Sequence, residues 1–262
     1  QRANGTVTID PKSDIEVINT ELALADVATI ENHLPKLQKE AKANPKLMPR
    51  LALLRSVQSQ LLAGKVPTEF HSFSPAELHQ QLDSLDLLTA KPVIYLFNVE
   101  ETDLTNQARQ AELRQLASQA TGQPLDRLTA VFVCAELESE IRSLSPVEAS
   151  ELMASYGVTE SSLDQLARVA YHTLGLQSFL TAGAKEVRAW TIHRGWTAPQ
   201  AAGVIHTDFE RGFIAAQVVS YHDLARLGSE SAARSAGKIR TEGKTYIMQP
   251  DDVVEFRFNV SK

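Results

Sequence analysis

Two short polar stretches carry the residue types that could do chemistry. Asn98-Val99-Glu100-Glu101 follows an apolar run at 92–97, and Cys134-Ala135-Glu136 follows a second run at 128–133. A carboxamide with a carboxylate three residues later can read a purine edge. The carboxylate accepts hydrogen bonds from ring N–H and amino groups, and the amide offers a donor and an acceptor. Backbone amides of the second stretch could close on the same base. A plainer reading stands beside this one. Glu100 and Glu101 suit the N-terminus of a following helix, and Cys134 suits a small buried apolar site.

Other constellations fall away. His206-Thr207-Asp208 has metal-ligand letters but no second His/Cys cluster at a useful spacing, so a local turn or helix cap is expected there. Ser, His and Asp occur without the Gly-x-Ser-x-Gly elbow of a hydrolase. No Gly-x-x-x-x-Gly-Lys-[Ser/Thr] loop occurs in the 262 residues, so phosphate cradling is not expected within them.

The elements that must position these stretches follow from periodicity. Ile15, Ile18, Leu22, Ala25, Ile30, Leu34, Leu37 and Ala41 recur at helical spacing over 14–42, with Ser13 and Glu16 read as a capping box. No cap or first strand is evident before Ser13. After Asn44-Pro45, a second helical pattern through Leu51, Leu54, Val57, Leu61 and Leu62 predicts an antiparallel αα-hairpin. Ser74-Pro75 predicts a third helix start. The apolar runs at 92–97 and 128–133 read as strands buried on both faces, separated by a helix over 105–120, with helices over 145–155 and 161–174 beyond. This order predicts a parallel α/β sheet, whose ligands bind beyond the carboxyl ends of the strands, where both polar stretches lie. Past Gly175, strands at 179–182, 187–192, 213–221, 246–247 and 253–258 and a Thr197-capped helix predict a ubiquitin-like β-grasp, with the boundary near Leu176.

Charge divides the same way. Residues 1–175 carry net −8 and residues 176–262 carry +2. Arg188, Arg194, Arg211, Lys238, Arg240 and Lys244 are the candidate nucleic-acid phosphate contacts on the basic module, against the alternative of a solvated basic face. No apolar run reaches ~18 residues, the length that spans a membrane, and the single cysteine permits no internal disulfide. A cytoplasmic protein without membrane or DNA partners is expected.

Phe179-Leu180-Thr181-Ala182-Gly183-Ala184-Lys185-Glu186-Val187-Arg188-Ala189-Trp190-Thr191, Thr197-Ala198-Pro199-Gln200-Ala201-Ala202-Gly203, His206-Thr207-Asp208-Phe209-Glu210-Arg211-Gly212-Phe213-Ile214 and Phe256-Arg257-Phe258-Asn259-Val260 resemble the TGS domain of the YchF/Obg-like ATPase family. Asp14-Ile15-Glu16-Val17-Ile18-Asn19-Thr20-Glu21-Leu22 resembles the entry to that family's helical insertion. The resemblance covers almost the whole chain. It implies an α/β fold: the C-terminal part of a parallel-sheet P-loop nucleotidase domain (1–13 and 89–175), a helical coiled-coil insertion (14–88) and a TGS domain (176–262). It also implies an altered base-reading motif at Asn98, Val99 and Glu101, where GTPases carry Asn-Lys-x-Asp, favouring adenine over guanine. Cys134, Ala135 and Glu136 are then the second base-side loop. The family's Walker A and Asp-x-x-Gly loops, which handle phosphate and Mg²⁺, have no counterpart in these residues. The resemblance thus implies a ribosome-associated ATPase, with ATP and Mg²⁺ as cofactors and the ribosome and its RNA as partner. This chain is expected to be its C-terminal portion, inactive alone and with no catalytic or metal residues of its own. The alternative is a non-catalytic ribosome- or RNA-binding module made of the helical arm and the TGS domain.

Overall fold

The computed structural model describes residues 2–3, 6–7, 10–67, 70, 82, 85–183 and 186–259. Two short strands, β1 (Arg2–Ala3) and β2 (Thr6–Val7), pair antiparallel and lead to Asp10. Asp10, not Ser13, caps the first helix, α1 (Pro11–Ala43): its carboxylate accepts the Ser13 N–H at 3.2 Å. Pro11 supplies the preset φ of a first helical residue, so the helix begins earlier than the Ser13–Glu16 pair suggests. The strand pair and this cap precede Ser13, where none was expected. The helix start anticipated at Ser74-Pro75 lies outside the described residues.

From Val27 onward the expected face of α1 is buried. Ile30, Leu34, Leu37 and Ala41 pack against Leu51, Leu54, Val57 and Leu61 of α2 (Met48–Leu62) in one cluster. Each fully buried aliphatic side chain here contributes roughly 1.5–3 kcal/mol. The connection is a 3₁₀ turn, Pro45–Leu47, capped by the Asn44 side chain, and Gln58 reaches Glu31 across the antiparallel pair at 3.4 Å. The first half of α1 departs from expectation. Ile18 is 59% exposed and Ala25 is exposed, while Asn19 is half-buried and Asp26 buried. The inward stripe there is rotated to carry polar residues. Asp26 accepts the N–H groups of Leu88 and Thr89 at 2.8 Å each and the Thr89 hydroxyl at 2.6 Å. Asn19 hydrogen-bonds Tyr95, whose phenol pKa is raised by burial against the lowering effect of that bond.

Thr89 leads into the α/β part. Strand β3 (Ile94–Asn98) is followed by helix α3 (Gln107–Thr121), capped by Asn106 and ended by left-handed Gly122. Strand β4 (Thr129–Val133) pairs with β3 in parallel, Ile94 opposite Thr129 and Asn98 opposite Val133. Helix α3 packs on α1. Strand β3 is not buried on both faces as its apolar run suggests: Leu96 is 52% exposed, and among the described residues β3 pairs with β4 alone. Helices α4 (Ala135–Ile141), α5 (Pro146–Ser155) and α6 (Ser162–Thr173) follow. Helix α5 opens on a Ser145–Glu148 capping box, which holds the Glu148 carboxyl below its ordinary range. The chain divides into two compact units, Gln1–Leu166 and Ala167–Lys262, and α6 runs through the division. The anticipated boundary near Leu176 lies beyond the end of that helix.

The second unit is built on strands β5 (Leu176–Ala182), β6 (Val187–His193), β7 (Phe213–Ser220), β8 (Arg240–Glu242) and β9 (Asp252–Phe258). Their order is β6-β5-β9-β7-β8, with β5 and β9 parallel and the other neighbours antiparallel. Between β6 and β7 run α7 (Ala198–Ile205) and α8 (Thr207–Arg211); α9 (Tyr221–Leu227) and α10 (Glu230–Ser235) precede β8. The small residues Ala198, Ala201 and Ala202 let α7 settle closely on Phe179, Ile192, Val218 and Val254. The anticipated strand at 246–247 is instead a segment with one isolated bridge, Thr197 to Ile247. Strand β8 was not anticipated, since Arg-Thr-Glu lacks the apolar alternation of a strand.

Candidate base-binding site

The six anticipated base-side residues gather at the carboxyl ends of β3 and β4. Asn98 is the last residue of β3, and its side-chain oxygen accepts the backbone N–H of Ala135 at 3.1 Å. Val99 donates its N–H to Val133 at 2.8 Å, so the parallel pairing runs one residue past the strand. Glu101 begins a single 3₁₀ turn, Glu101–Asp103, held by backbone bonds from Asp103 to Glu100 and from Leu104 to Glu101. The stretch at 134–136 is not an open loop. Cys134, 3% exposed, caps α4 by accepting the Leu137 N–H on its sulfur at 3.5 Å, and Ala135 and Glu136 form the exposed first turn. The structure thus ties Asn98 to Ala135 and Val99 to Val133, and Glu101 follows in the 3₁₀ turn just beyond.

Behind this end of the sheet, Phe97 and Phe132 stack at 5.5 Å and the Arg114 guanidinium lies 5.3 Å from the Phe132 ring centre. Buried Glu138 accepts the Ser162 N–H and anchors the start of α6. A cleft of about 220 Å³ in this unit is lined by Leu104, Gln110, Arg114, Phe132, Thr159 and Gln165 among others, and none of the six base-side residues lines it.

The six anticipated phosphate contacts are not brought together. Arg188 lies on edge strand β6, stacked 4.1 Å over Trp190 and 3.8 Å from Glu186. Arg240 lies on the opposite edge strand, β8, bonded to the Tyr246 hydroxyl and within 3.7 Å of Glu242 and Asp252. Lys238 pairs with Asp223 at 3.7 Å, and Arg194 donates to the Leu176 carbonyl. Arg211 ends α8, and Lys244 is exposed beyond β8. His206 does what its sequence context suggests, capping α8 by accepting the Asp208 N–H on Nδ1 at 3.2 Å.

Comparison with known proteins adds the family. A family model for the C-terminal region of YchF GTPases, described as a protein of unknown function (DUF933), matches residues 176–259. The "Ribosome-binding ATPase YchF" of Bacillus subtilis (strain 168) is 40% identical over 259 residues, covering 96% of this chain and 68% of that protein. The chain belongs to the YchF family. A YchF protein of the same name from Escherichia coli O157:H7 is 43% identical over 254 residues, covering 96% of this chain and 68% of that protein. The "Obg-like ATPase 1" of Oryza sativa subsp. japonica is 37% identical, covering 97% of this chain and 64% of that protein. The solved YchF GTPase of Schizosaccharomyces pombe superposes with a TM-score of 0.79 at 31% identity, over 97% of this chain and 69% of that one. The mixed α/β architecture is therefore that of YchF structures. Among the described residues, no helix is long and apolar enough to cross a membrane.

Proposed function

We propose that this chain forms the base-recognising and partner-binding part of a cytoplasmic, ribosome-associated ATPase. The single observation that carries the nucleotide reading is the Asn98–Ala135 hydrogen bond, which joins two polar stretches where a parallel sheet binds ligands. Asn98, Val99 and Glu101 would face the purine from one side and the exposed Ala135 and Glu136 from the other, with buried Cys134 holding that turn through its bond to Leu137. With the Asn98 oxygen held by Ala135, its Nδ2 group remains as a donor for a base acceptor. Glu101 replaces the shorter aspartate that reads guanine in Asn-Lys-x-Asp, and a shifted carboxylate loses the paired bonds to guanine.

Bound ATP would supply the phosphoanhydride to be cleaved, while these residues hold only its base. No Walker A loop occurs in the 262 residues. Among the described residues, no group of three or more His, Cys, Asp or Glu is placed to hold a metal. The resemblance assigns phosphate and Mg²⁺ handling to the part of such a relative that this chain does not match, the chain covering 68% of the Bacillus subtilis protein. Residues 176–262 are read as a TGS-type β-grasp, which the order β6-β5-β9-β7-β8 supports. Residues 14–88 are read as the helical insertion, and the relatives' printed names support the ribosome as partner. The test is ATP binding by the full-length gene product: Asn98→Ala should weaken it at least tenfold, and an unchanged affinity would remove Asn98 from the site.

A further inference from the structure

The two arginines of α3 are held differently. Arg109 bonds Glu112 at 2.7 Å and lies 3.9 Å from Asp103. Arg114 has no carboxylate within ion-pair distance among the described residues, and its guanidinium lies 5.3 Å from the Phe132 ring centre instead. Its own helix offers no carboxylate three or four residues away, where Gln110, Ala111, Ala117 and Ser118 stand. A cation–π contact uses none of the five N–H donors of the guanidinium. Arg114 is half-buried and lines the cleft of about 220 Å³ in the first unit. Thr105, Thr159 and Gln165 line it too, and none of these three side chains is hydrogen-bonded among the described residues. The four come from four segments: the residues before α3, α3 itself, the connection between α5 and α6, and α6. Glu160 is the one carboxylate among the lining residues, and it has a partner already.

We propose that this cleft binds a phosphate-class oxyanion and that its occupancy supports the base-side turn next to it. The guanidinium fork takes two oxygens of a tetrahedral anion, and hydroxyl and amide donors from the other segments take the rest. A planar carboxylate has only two oxygens and leaves some of those donors unused. The cleft is smaller than the roughly 300–1,000 Å³ of pockets that enclose drug-sized ligands, so it suits a phosphate group and not a whole nucleotide. An arginine that merely lays its stem along Phe132 with its head in water is the plainer reading. That reading leaves Thr105, Thr159 and Gln165 in the same cleft unexplained. The cleft also shares residues with the base-side turn. Gln110 donates to the carbonyls of Asp103 at 3.3 Å and Leu104 at 2.8 Å, tying the Glu101–Asp103 turn to α3. Gln110 and Leu104 both line the cleft. An anion that needs them in place favours the turn as it stands. This coupling rests on the base-binding reading above and runs in both directions.

The test is titration of the full-length gene product with inorganic phosphate, followed by phosphorus NMR line width at an ionic strength held constant with chloride. Arg114→Gln should weaken this binding about tenfold or more, and Gln165→Ala roughly threefold. Arg114→Lys should lose less than Arg114→Gln, because the charge survives without the fork. Gln165→Ala leaves the charge and the Phe132 contact in place, so it keeps the test open if Arg114→Gln does not fold. Glycerol 3-phosphate as a second probe tells a phosphomonoester group from the free ion, and binding of either through Arg114 supports the site. No saturable phosphate binding, an affinity unchanged in both Arg114→Gln and Gln165→Ala, or acetate bound as tightly as phosphate would overturn it. Adenosine, which carries no phosphate, reads the coupling: phosphate should tighten its binding about fivefold in the parent and not in Arg114→Gln. Phosphate binding that depends on Arg114 but leaves adenosine affinity unchanged would keep the site and sink the coupling. Adenosine binding that ignores Asn98→Ala would count against the base-side reading and leave the phosphate site standing.

Discussion

The carboxamide oxygen of Asn98 accepts the backbone N–H of Ala135 across 37 residues of sequence, at 3.1 Å. This one bond fixes the end of β3 against the first turn of α4, and so sets the distance between the two sides of the candidate base site. Asparagine suits the position because one side chain carries both an acceptor, used here, and a donor, which the proposed function gives to the base.

Asn98→Asp separates those two roles. The aspartate keeps an acceptor for the Ala135 N–H and loses the amide donor. Chemical denaturation should therefore show little loss of stability in Asn98→Asp and a loss of about 1 kcal/mol in Asn98→Ala. Nucleotide affinity of the full-length product should fall in both. Retained affinity in Asn98→Asp would show that the donor does not touch the base.

Asp26 is a buried carboxylate with three donors, two of them the backbone N–H groups of Leu88 and Thr89. Asp26→Ala should cost roughly 2–4 kcal/mol by stranding those groups, and Asp26→Asn less, because one acceptor survives. Urea unfolding of the first unit measures both. A cost under 0.5 kcal/mol for the alanine variant would mean the three bonds are not formed in solution.

The legibility of the chain divides along these same residues. The second half of α1 and all of α2 were readable because their buried positions are aliphatic and repeat at helical spacing. The first half was misread because Asn19 and Asp26 occupy inward positions, and a polar residue at such a position looks like surface until its partners, 76 and 62 residues away, are placed. The position of the two polar stretches at strand ends is legible because each follows an apolar run, although the helix begun by Cys134 is not. Strand β8 was invisible because three polar residues on a sheet edge need no apolar pattern. The scatter of Arg188 and Arg240 was hidden for a different reason: strand order decides it, and strand order is not written in local sequence.

Tyr246 donates to the Asp252 carboxylate at 2.9 Å, and burial together with that carboxylate pushes its phenol up to about 12 from an ordinary 10.0. A pKa raised on folding gives stability that is present below pH 10 and lost as pH climbs through about 12. The second unit should therefore weaken across that alkaline window, and Tyr246→Phe should flatten this part of its pH profile. Asp252 itself has a raised pKa, chiefly from burial. Its contribution runs in the same direction at the acid end, greatest below the ordinary carboxylate range and lost as pH rises through the raised value. Thermal melts at pH 9 to 12 for both proteins decide the alkaline part, and identical profiles would contradict it.

Gly212 sits where a side chain has no room: a Cβ there would lie 2.1 Å from the Asn259 carbonyl oxygen. The Asn259 N–H donates to the Gly212 carbonyl at 2.9 Å, and Phe209 stacks on Phe258 beside it at 3.7 Å. Gly212→Ala should force β9 away from the start of β7 and cost about 1–3 kcal/mol. The melting temperature of the second unit reports this, and a variant as stable as the parent would show that the two segments are not in close approach.

The most direct test of the nucleotide assignment is turnover of ATP and GTP by the protein purified from its native source, with its intact mass measured on the same sample. The account predicts a mass well above 28.8 kDa and turnover of ATP in preference to GTP. A 28.8 kDa protein that binds no nucleotide, or a larger one that prefers GTP, would contradict it.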